Sequence, residues 1–284
     1  MSRSKNNKKS FKILGISIWR LCAYFIIYSV IGFIIETLFA IIFYNVLESR
    51  QSFLYGPFCG IYGVGAVLMI LFLNKYFNKN GHMLFIGGFI VGSVVEYILS
   101  LLGELILNVR WWDYSNRFLN INGRICFLYS IFWGLLAIYL MKVINPKVDK
   151  LIYWLKTKIN INIAKVLILV TIVFLFIDCV ASGIAISFCL IRKSVENDLN
   201  IANKEKTIET YNKIYNNQSL RDFIYKYWDD EKMIKTYPNL KLNLEDGTTI
   251  NVKDLTPEIK PYYYKFKERK VENKVNEIIN TKSE

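Results

Sequence analysis

The sequence predicts an all-α integral membrane protein, with a bundle of five transmembrane helices and a small α+β C-terminal tail. Three observations favour this fold class. Hydrophobic residues make up 53% of the 284-residue chain, and they are concentrated in five runs long enough to cross a bilayer. Lysine and arginine are concentrated in alternate loops between these runs. The last third of the chain is, by contrast, highly charged and has the composition of a small soluble unit.

The transmembrane domain is expected at residues 21–191. We place its spans at about residues 21–44, 53–73, 82–107, 125–144 and 163–191. Pro146 should stop the fourth span, because proline breaks a helix interior. Residues 147–160 then alternate basic and apolar positions at helical spacing, which predicts a separate helix lying on the membrane surface.

Glycines near the start of the second span predict close helix packing there. Gly56 and Gly60 form a small-xxx-small pair, and Gly63 continues the same stretch. Small residues at such spacing let two helix backbones approach each other in lipid. We therefore assign these three glycines to helix packing.

The formal net charge of +13 is typical of nucleic-acid-binding proteins, but its placement argues against that class. The excess lies in the short loops of the membrane part, where it sets orientation. We expect residues 1–20 to be a basic cytoplasmic arm and residues 192–284 to be an extracytoplasmic tail of a multi-pass cell-membrane protein. The basic residues on the cytoplasmic side are Arg3, Lys5, Lys8, Lys9, Lys12, Arg20, Lys75, Lys79, Lys142, Lys147, Lys150, Lys156, Lys158 and Lys165, and those opposite are Arg50, Arg110, Arg117 and Arg124.

The tail shows three local patterns. Residues 193–228 have apolar residues at helical spacing. Leu240, Leu242 and Leu244 alternate with polar residues before Asp246-Gly247, which predicts a β-hairpin. The residues from Tyr262 onward predict a charged final helix.

Four acids lie inside the apolar runs, namely Glu36, Glu96, Glu104 and Asp178. A charged side chain in a bilayer costs a few kcal/mol, about 3 by insertion scales, and needs a partner. At about 1.5 Å per residue, Glu36, Glu96 and Glu104 lie roughly 12, 16 and 5 Å below the outer surface. All three therefore lie towards the side of the loop that follows the third span.

That loop carries Arg110, Arg117 and Arg124, together with two tryptophans. We expect its arginines to fold over the acids, with Glu96 paired to one of them. The acids would then line a substrate or proton path, and Arg110 and Arg124 would form its gate or an anion anchor. Two plainer interpretations stay open: the pairs are structural, and Trp111, Trp112 and Tyr114 are ordinary interfacial residues. The predicted path comprises Glu36, Glu96, Glu104, Asp178, Arg110, Asp113, Arg124 and Asn122.

The common catalytic motifs are missing from the sequence. There is no Gly-Lys dipeptide, hence no phosphate-binding loop, and no GxSxG, HExxH or GxGxxG pattern. The single histidine and the five cysteines lack metal-ligand spacing. The sequence therefore predicts no catalytic residue, no metal and no cofactor, although two buried carboxylates leave acid–base chemistry open.

Several of these residues together resemble a known family. They are Gly32 to Glu36, the FLYGPFC run at 53–59, Glu96-Tyr97, and the RWWDYS and NINGR motifs that begin at Arg110 and Asn120. In this combination, residues 20–150 resemble the bacterial ABC-transporter type IV, or CmpB-like, membrane family. Two positions differ from the family pattern: Ser49-Arg50-Gln51 stands where Asn-Arg-Gly is expected, and Gly60 stands where proline is expected.

The resemblance implies a multi-pass membrane protein classed as a permease, with no reaction or solute attached. We therefore expect a permease component for a small polar or anionic solute. A separate ATPase subunit at the cytoplasmic face is its implied partner, with residues 147–160 as the docking candidate, and a homo-oligomer is left open. The alternative is a non-transporting scaffold or sensor, or an enzyme acting on lipid-linked substrates of the cell envelope. No nucleic-acid partner is expected.

Overall fold

The computed structural model describes residues 11–76 and 80–266. Residues 1–10 of the expected basic arm, Lys79 and residues 267–284 of the expected final helix lie outside the described residues. The helices are α1 (Ile18–Tyr44), α2 (Gly60–Leu73), α3 (Gly81–Leu107), α4 (Phe127–Tyr139), α5 (Asn145–Lys158), α6 (Ile161–Glu196), α7 (Lys204–Tyr215), α8 (Gln218–Tyr227) and α9 (Asp230–Thr236). The strands are β1 (Lys12–Ile13), β2 (Ile16–Ser17), β3 (Val46–Leu47), β4 (Val109–Arg110), β5 (Lys241–Asn243), β6 (Thr249–Asn251) and β7 (Tyr264–Lys265).

The chain is a mostly helical protein with four helices long and apolar enough to cross a membrane, and it has a small tail with short strands. Within the described residues these four are Ile18–Tyr44, Gly81–Leu107, Phe127–Lys158 and Ile161–Glu196. The helix at Gly60–Tyr76, which is α2 with a short 3-10 extension, is apolar but shorter. The membrane fold is thus confirmed at this level.

The second apolar run is only partly helical, since α2 begins at Gly60, so the expected helical span from residue 53 is wrong over about its first two turns. Residues 52–58 form a loop in which Gly56 has a φ of +80° and the Ser52 amide donates to the Phe58 carbonyl, 3.0 Å. Pro57 cannot donate a helical hydrogen bond. The Ser52 hydroxyl accepts from the Gly60 amide at 2.7 Å, where α2 begins.

Helix packing in this region uses different glycines from the expected pair. Gly56 lies outside the helix, so the Gly56–Gly60 seam is wrong. A Cβ at Gly63 would lie 2.2 Å from Ser29 Oγ and 2.8 Å from the Phe25 carbonyl. A Cβ on Gly32 of α1 would lie 2.4 Å from Tyr62 Cβ. Gly32 and Gly63 are therefore the residues that let α1 and α2 touch.

The fourth run does not stop at Pro146, and no separate surface helix follows it. A π-helical turn (Leu140–Ile144) joins α4 to α5, and Pro146 lies in the first turn of α5. Proline is tolerated at that position because its missing N–H has no helical partner there. The result is one helix from Phe127 to Lys158.

The start of α1 and the start of α5 meet in a polar cluster. Tyr24 donates to Asp149, which also pairs with Arg20 at 2.5 Å, and Tyr28 donates to Asn145 at 3.1 Å. These contacts tie α1 to α5 at the end of the bundle opposite the tail.

The tail joins the membrane bundle through short strands. The expected hairpin is confirmed as β5 and β6, with Gly247 at a φ of +80° in its turn, and β5 also pairs with β4 after α3. At Tyr262 the expected final helix is wrong in the part described, since β7 pairs there with β3 after α1. The tail therefore lies at the same end of the bundle as the loops after α1 and α3.

Helix α6 has two different surroundings along its length. Up to Val180 most of its aliphatic side chains are exposed, whereas Ala185, Ile186, Cys189 and Leu190 are buried in a core shared with the tail. The tail contributes to this core from α7, α8, α9 and the hairpin. The first half of α6 is thus suited to lipid and the second half to protein.

Two buried cations fix the tail to the end of α6. The Arg192 side chain is 1% exposed; it donates to Asp230 at 3.0 Å and to the Tyr215 hydroxyl at 3.1 Å. Lys193 pairs with the other oxygen of Asp230 at 2.5 Å. A buried cation needs such partners, because breaking one pair leaves an uncompensated charge.

Candidate functional site

Glu96 lies in the middle of α3 and is only 7% exposed. Its Oε1 accepts a hydrogen bond from the Tyr114 hydroxyl at 3.1 Å, and its Oε2 accepts one from Trp133 Nε1 at 2.9 Å. Tyr114 comes from the loop after α3, and Trp133 comes from α4. Each carboxylate oxygen therefore accepts a hydrogen bond from a neutral aromatic side chain, and the two donors come from different segments. Among the described residues, no lysine or arginine forms an ion pair with Glu96.

This arrangement depends on small residues between α3 and α4. A Cβ at Gly92 would lie 2.5 Å from Trp133 Cβ, so glycine is what allows the indole to approach α3. One turn away from the acid, the hydroxyls of Ser93 and Ser130 are hydrogen-bonded at 2.7 Å, and both residues are buried. The seam between α3 and α4 is thus a polar strip within an apolar bundle.

A second tier of charges lies towards the end of α3. Glu104 Oε2 accepts from Arg124 Nη1 at 2.7 Å and from Arg110 Nε at 3.3 Å. Arg110 also lies 4.0 Å from Asp113. The arginine-over-acid arrangement expected from the sequence is found here, at Glu104 and not at Glu96.

Arg124 is the most enclosed of these cations, with 8% of its surface exposed. Its guanidinium lies 5.7 Å from the centre of the Tyr97 ring, and its Nε has no hydrogen-bond partner among the described residues. The hydrogen bond to Glu104 raises the pKa of Arg124 above its ordinary value, so it remains a cation.

The loop between α3 and α4 is held together by bonds between its two sequence motifs. Trp112 Nε1 donates to the Arg124 carbonyl at 2.8 Å, and the Tyr114 amide donates to the Gly123 carbonyl at 2.8 Å. Gly123 has a φ of +66°, and a Cβ there would lie 2.7 Å from an Asp113 oxygen. These contacts explain why the WWDYS and NINGR motifs occur together.

Neighbouring groups act on three polar residues of the loop: they shift the pKa values of Asp113 and Tyr114 and accept a hydrogen bond from Asn122. Partial burial alone would raise the pKa of Asp113, but hydrogen bonds from Ser115 and the charge of Arg110 hold it below its ordinary value. Burial raises the pKa of Tyr114, and the nearby Glu96 raises it further, so Tyr114 stays a hydrogen-bond donor. Asn122 donates from its side chain to the Tyr97 hydroxyl at 2.9 Å.

Glu36 and Asp178 do not join this cluster. Glu36 Oε1 accepts from the Tyr62 hydroxyl at 2.5 Å, between α1 and α2. Asp178 accepts from the Tyr55 amide, 3.2 Å from each of its oxygens, and Ser182 accepts from the Leu54 amide at 2.7 Å. Asp178 therefore caps the loop at residues 52–58, where α6 passes from its exposed half to its buried half.

The structure thus brings together Glu96, Glu104, Arg110, Asp113, Asn122 and Arg124. It also identifies two partners that the sequence did not assign. Tyr114 was expected only as an interfacial residue, and Trp133 was not singled out. The spacing of Gly92 and Glu96 by one helical turn was a usable signal, because a glycine beside a buried acid leaves room for a large donor from the next helix.

Comparison with known proteins identifies the family of the chain. No curated protein and no solved structure matches the chain. The model of one family, described as "Putative ABC-transporter type IV", matches residues 23–183. The matched region runs from α1 to the middle of α6 and includes the loop between α3 and α4. The chain therefore belongs to the "Putative ABC-transporter type IV" family.

Proposed function

We propose that this chain is the membrane-spanning permease component of a transport system for a small polar or anionic solute. The observation that carries the proposal is Glu96, which is buried in a membrane helix and bonded only to neutral donors. Glu36 and Asp178 also accept only from neutral groups, but Glu96 differs in that one of its donors, Tyr114, lies in the loop that carries Arg110 and Arg124. Ionisable residues that face a bundle interior generally mark a solute or proton pathway.

In this proposal Glu96 takes up and releases a proton as the solute passes. The hydroxyl of Tyr114 and the indole of Trp133 stabilise the ionised form, since hydrogen bonds to a charged acceptor are roughly twice as strong as neutral ones. Protonation of Glu96 weakens its hydrogen bond with Tyr114, which lies in the loop that also carries Arg110 and Arg124. Glu96 would thereby couple its own charge to the position of the loop.

Arg110 and Arg124 form the anion anchor at the outer mouth. They share one carboxylate, Glu104, so one acid faces two cations. The partnerless Nε of Arg124 leaves a donor for a second anion, and a guanidinium can bind a carboxylate or phosphate through two parallel hydrogen bonds. An anionic solute would compete with Glu104 for these groups. Glu36 and Asp178 bind separate partners, and we assign them a secondary, structural role in this pathway.

The proposed topology has five crossings, with α2 and the loop at 52–58 together forming the second. It is supported by the pairing of β3 with β7 and β4 with β5, which holds both loops and the tail at one end. The basic residues at the other end support a cytoplasmic N-terminus with residues 1–20 as a basic arm. The tail at residues 192–284 then lies outside the cell.

These 284 residues contain no phosphate-binding loop, so they do not themselves supply an ATPase. We propose a separate ATPase subunit at the cytoplasmic face. The last turns of α5 present exposed Tyr153 and Trp154 next to Lys156 and Lys158, and they remain the docking candidate for it. A homo-oligomer is compatible with the same surfaces.

The test compares four versions of the full chain in the cells that make it: unchanged, Glu96→Gln, Arg124→Ala and Glu205→Gln. Glu205 is an exposed acid in the tail and serves as the matched control. We expect Glu96→Gln and Arg124→Ala to change the same small-molecule pool in an untargeted metabolite and lipid comparison, at equal protein abundance. An ATPase should copurify with all four versions.

A non-transporting scaffold or sensor is the second candidate, favoured by the core that the tail shares with the end of α6. If Glu96→Gln behaves as the unchanged protein while removal of the tail abolishes binding to envelope proteins, the scaffold is correct. If a lipid-linked intermediate accumulates instead, the chain is an enzyme. Either result contradicts the permease proposal.

A further inference from the structure

An open groove runs between α1 and the helix formed by the π-helical turn and α5, away from the polar site. Its volume is about 440 Å³. Ile26 and Val30 line it from α1, and Ile144 and Leu151 line it from the opposite wall. Lys147 is the one charged side chain among the described residues that line the groove. The surface is therefore apolar along its length, with a single cation.

The floor of the groove is fixed by buried contacts. Val148 is 5% exposed and belongs to the core of the bundle. The hydrogen bond from Tyr28 to Asn145 joins the two walls. The π-helical turn at Leu140–Ile144 lies at one end of the groove, and its last residue, Ile144, lines it. The groove is a formed feature of the bundle and does not need a ligand to open it.

Its depth matches the inner edge of a bilayer. Ile26 lies 18 residues before the end of α1, roughly 27 Å along the helix at about 1.5 Å per residue. Lys147 lies 20 residues after the start of α4, roughly 30 Å by the same measure. The hydrocarbon core of a bilayer is about 30 Å thick. Lys147 is thus placed where lipid headgroups begin on the side away from the tail.

The charge around the groove is positive and not neutralised by the protein. Lys147 is exposed and has no ion pair among residues 11–76 and 80–266. Its acidic neighbour Asp149 is already engaged by Arg20 and Tyr24. Lys150 follows on the same helix. Basic pockets between membrane helices on the cytoplasmic side bind anionic headgroups.

We propose that this groove binds an anionic phospholipid, with one acyl chain along the aliphatic walls and the headgroup phosphate at the Lys147 ammonium. The aliphatic lining selects a hydrocarbon chain, and the unneutralised lysine selects the negative headgroup. This site is independent of the polar cluster around Glu96 and of the direction of any transport. A helix of a second copy, or of a cytoplasmic partner, is the other class of occupant that the test can detect.

The test uses the purified full chain in detergent with phosphatidylglycerol or phosphatidylcholine, each carrying a photoactivatable acyl chain. Crosslinked peptides are identified by mass spectrometry. Three proteins are compared: the unchanged chain, Lys147→Gln and Lys156→Gln. Lys156 lies on the same helix outside the groove and is the matched control. Thermal unfolding of each variant checks that the bundle is intact.

We expect phosphatidylglycerol to label peptides containing residues 26–31 and 144–151. We expect labelling by phosphatidylglycerol to be about five-fold stronger than labelling by phosphatidylcholine, which is the contribution of one lysine near the membrane surface. Lys147→Gln should remove most of that preference without shifting the unfolding temperature, and Lys156→Gln should leave it unchanged. Equal labelling by the two lipids, an equal loss in both variants, or a groove crosslinked to a protein segment would overturn the proposal.

Discussion

The α1–α2 hairpin and the α3–α4 hairpin share a plan of construction. Helices α1 and α3 both have 27 residues, and both end at an asparagine with a φ of +54°. In each case a two-residue strand follows at once and pairs with a strand of the tail. The second helix of each hairpin then begins directly after a cysteine, Cys59 or Cys126.

The hairpins differ in the partners of the acid that each carries within its first helix, Glu36 in α1 and Glu96 in α3. Glu36 has a single donor, the Tyr62 hydroxyl of α2. Glu96 has two donors, and one of them, Tyr114, comes from a loop that also carries a tier of arginines. The shared features are those that pack two helices and fix a loop. The loop of the first hairpin has one arginine pair, Arg50 with Glu48 at 2.6 Å, whereas the loop of the second has two arginines on Glu104. The extra donor and the second arginine therefore distinguish the second hairpin.

The largest expected effect tests the shared packing. Gly63→Ala would bring a Cβ to 2.8 Å from a backbone oxygen of α1, and Gly88→Ala to 2.9 Å from a backbone oxygen of α4. Backbone cannot move aside easily, so each should lower the free energy of unfolding by about 3 kcal/mol, the upper end for overpacking. Unfolding in detergent measures this. Gly65→Ala is the control, since its Cβ meets nothing within 4 Å, and an equal loss there would refute close packing as the cause.

The next effect separates the two acids. Tyr62→Phe leaves Glu36 without a donor, whereas Tyr114→Phe leaves Glu96 with Trp133. We expect losses of about 2 kcal/mol for Tyr62→Phe and about 1 kcal/mol for Tyr114→Phe, within the range for hydrogen bonds to charged groups. Double-mutant cycles with Glu36→Gln and Glu96→Gln isolate each pair. A larger coupling for Tyr114 than for Tyr62 would mean that Trp133 does not share the Glu96 charge.

The sequence predicts the long helices well because each one is marked by a long run of apolar residues. It also predicts the hairpin of the tail, because Asp246-Gly247 favours a tight turn between two strands. It fails at residues 53–58, where an apolar run is a loop because its amides are bonded to Asp178 and Ser182 on α6. Those partners are more than 120 residues away, so no local pattern could reveal them.

Partners that are distant in the sequence also explain which contacts of the candidate site could be predicted and which could not. An arginine of the loop does lie over an acid, but the acid is Glu104, paired with Arg124, and not the expected Glu96; both groups lie near the end of α3, where the loop is within reach. Glu96 is different, since its donors depend on how closely α4 approaches α3. That distance is set by Gly92 against Trp133, which is a tertiary property.

A smaller effect concerns the two arginines that share Glu104 in the second hairpin. Glu104 and Arg124 are partly exposed, with side-chain exposures of 28% and 10%. After allowance for solvent screening, Glu104→Gln should cost about 1 kcal/mol or less. We expect faster hydrogen exchange in residues 111–125 with no change at residues 45–59. Arg117→Gln is the control, because Arg117 is exposed and has no ion pair among the described residues. Equal acceleration in both variants would show that Glu104 does not hold the loop.

The smallest effect is a pH dependence that only the second loop should show. The native pKa of Asp113 is lowered, so the unfolded loop binds its proton more tightly than the native loop does. Its stabilisation is complete above the unfolded value, about 3.9, and is lost as the pH falls through the lower native value. Tryptophan fluorescence should therefore report an ordered loop near neutral pH and a partial loosening in acid.

Asp113→Asn removes that acid step, because asparagine does not titrate, while its side-chain oxygen still accepts from Ser115. The remaining acid response would then come from Glu104, whose bonds to Arg110 and Arg124 are unaffected by this change. If Asp113→Asn keeps the full acid transition, the charge of Asp113 has no part in ordering the loop. The acid response of the loop would then rest on Glu104 and the two arginines.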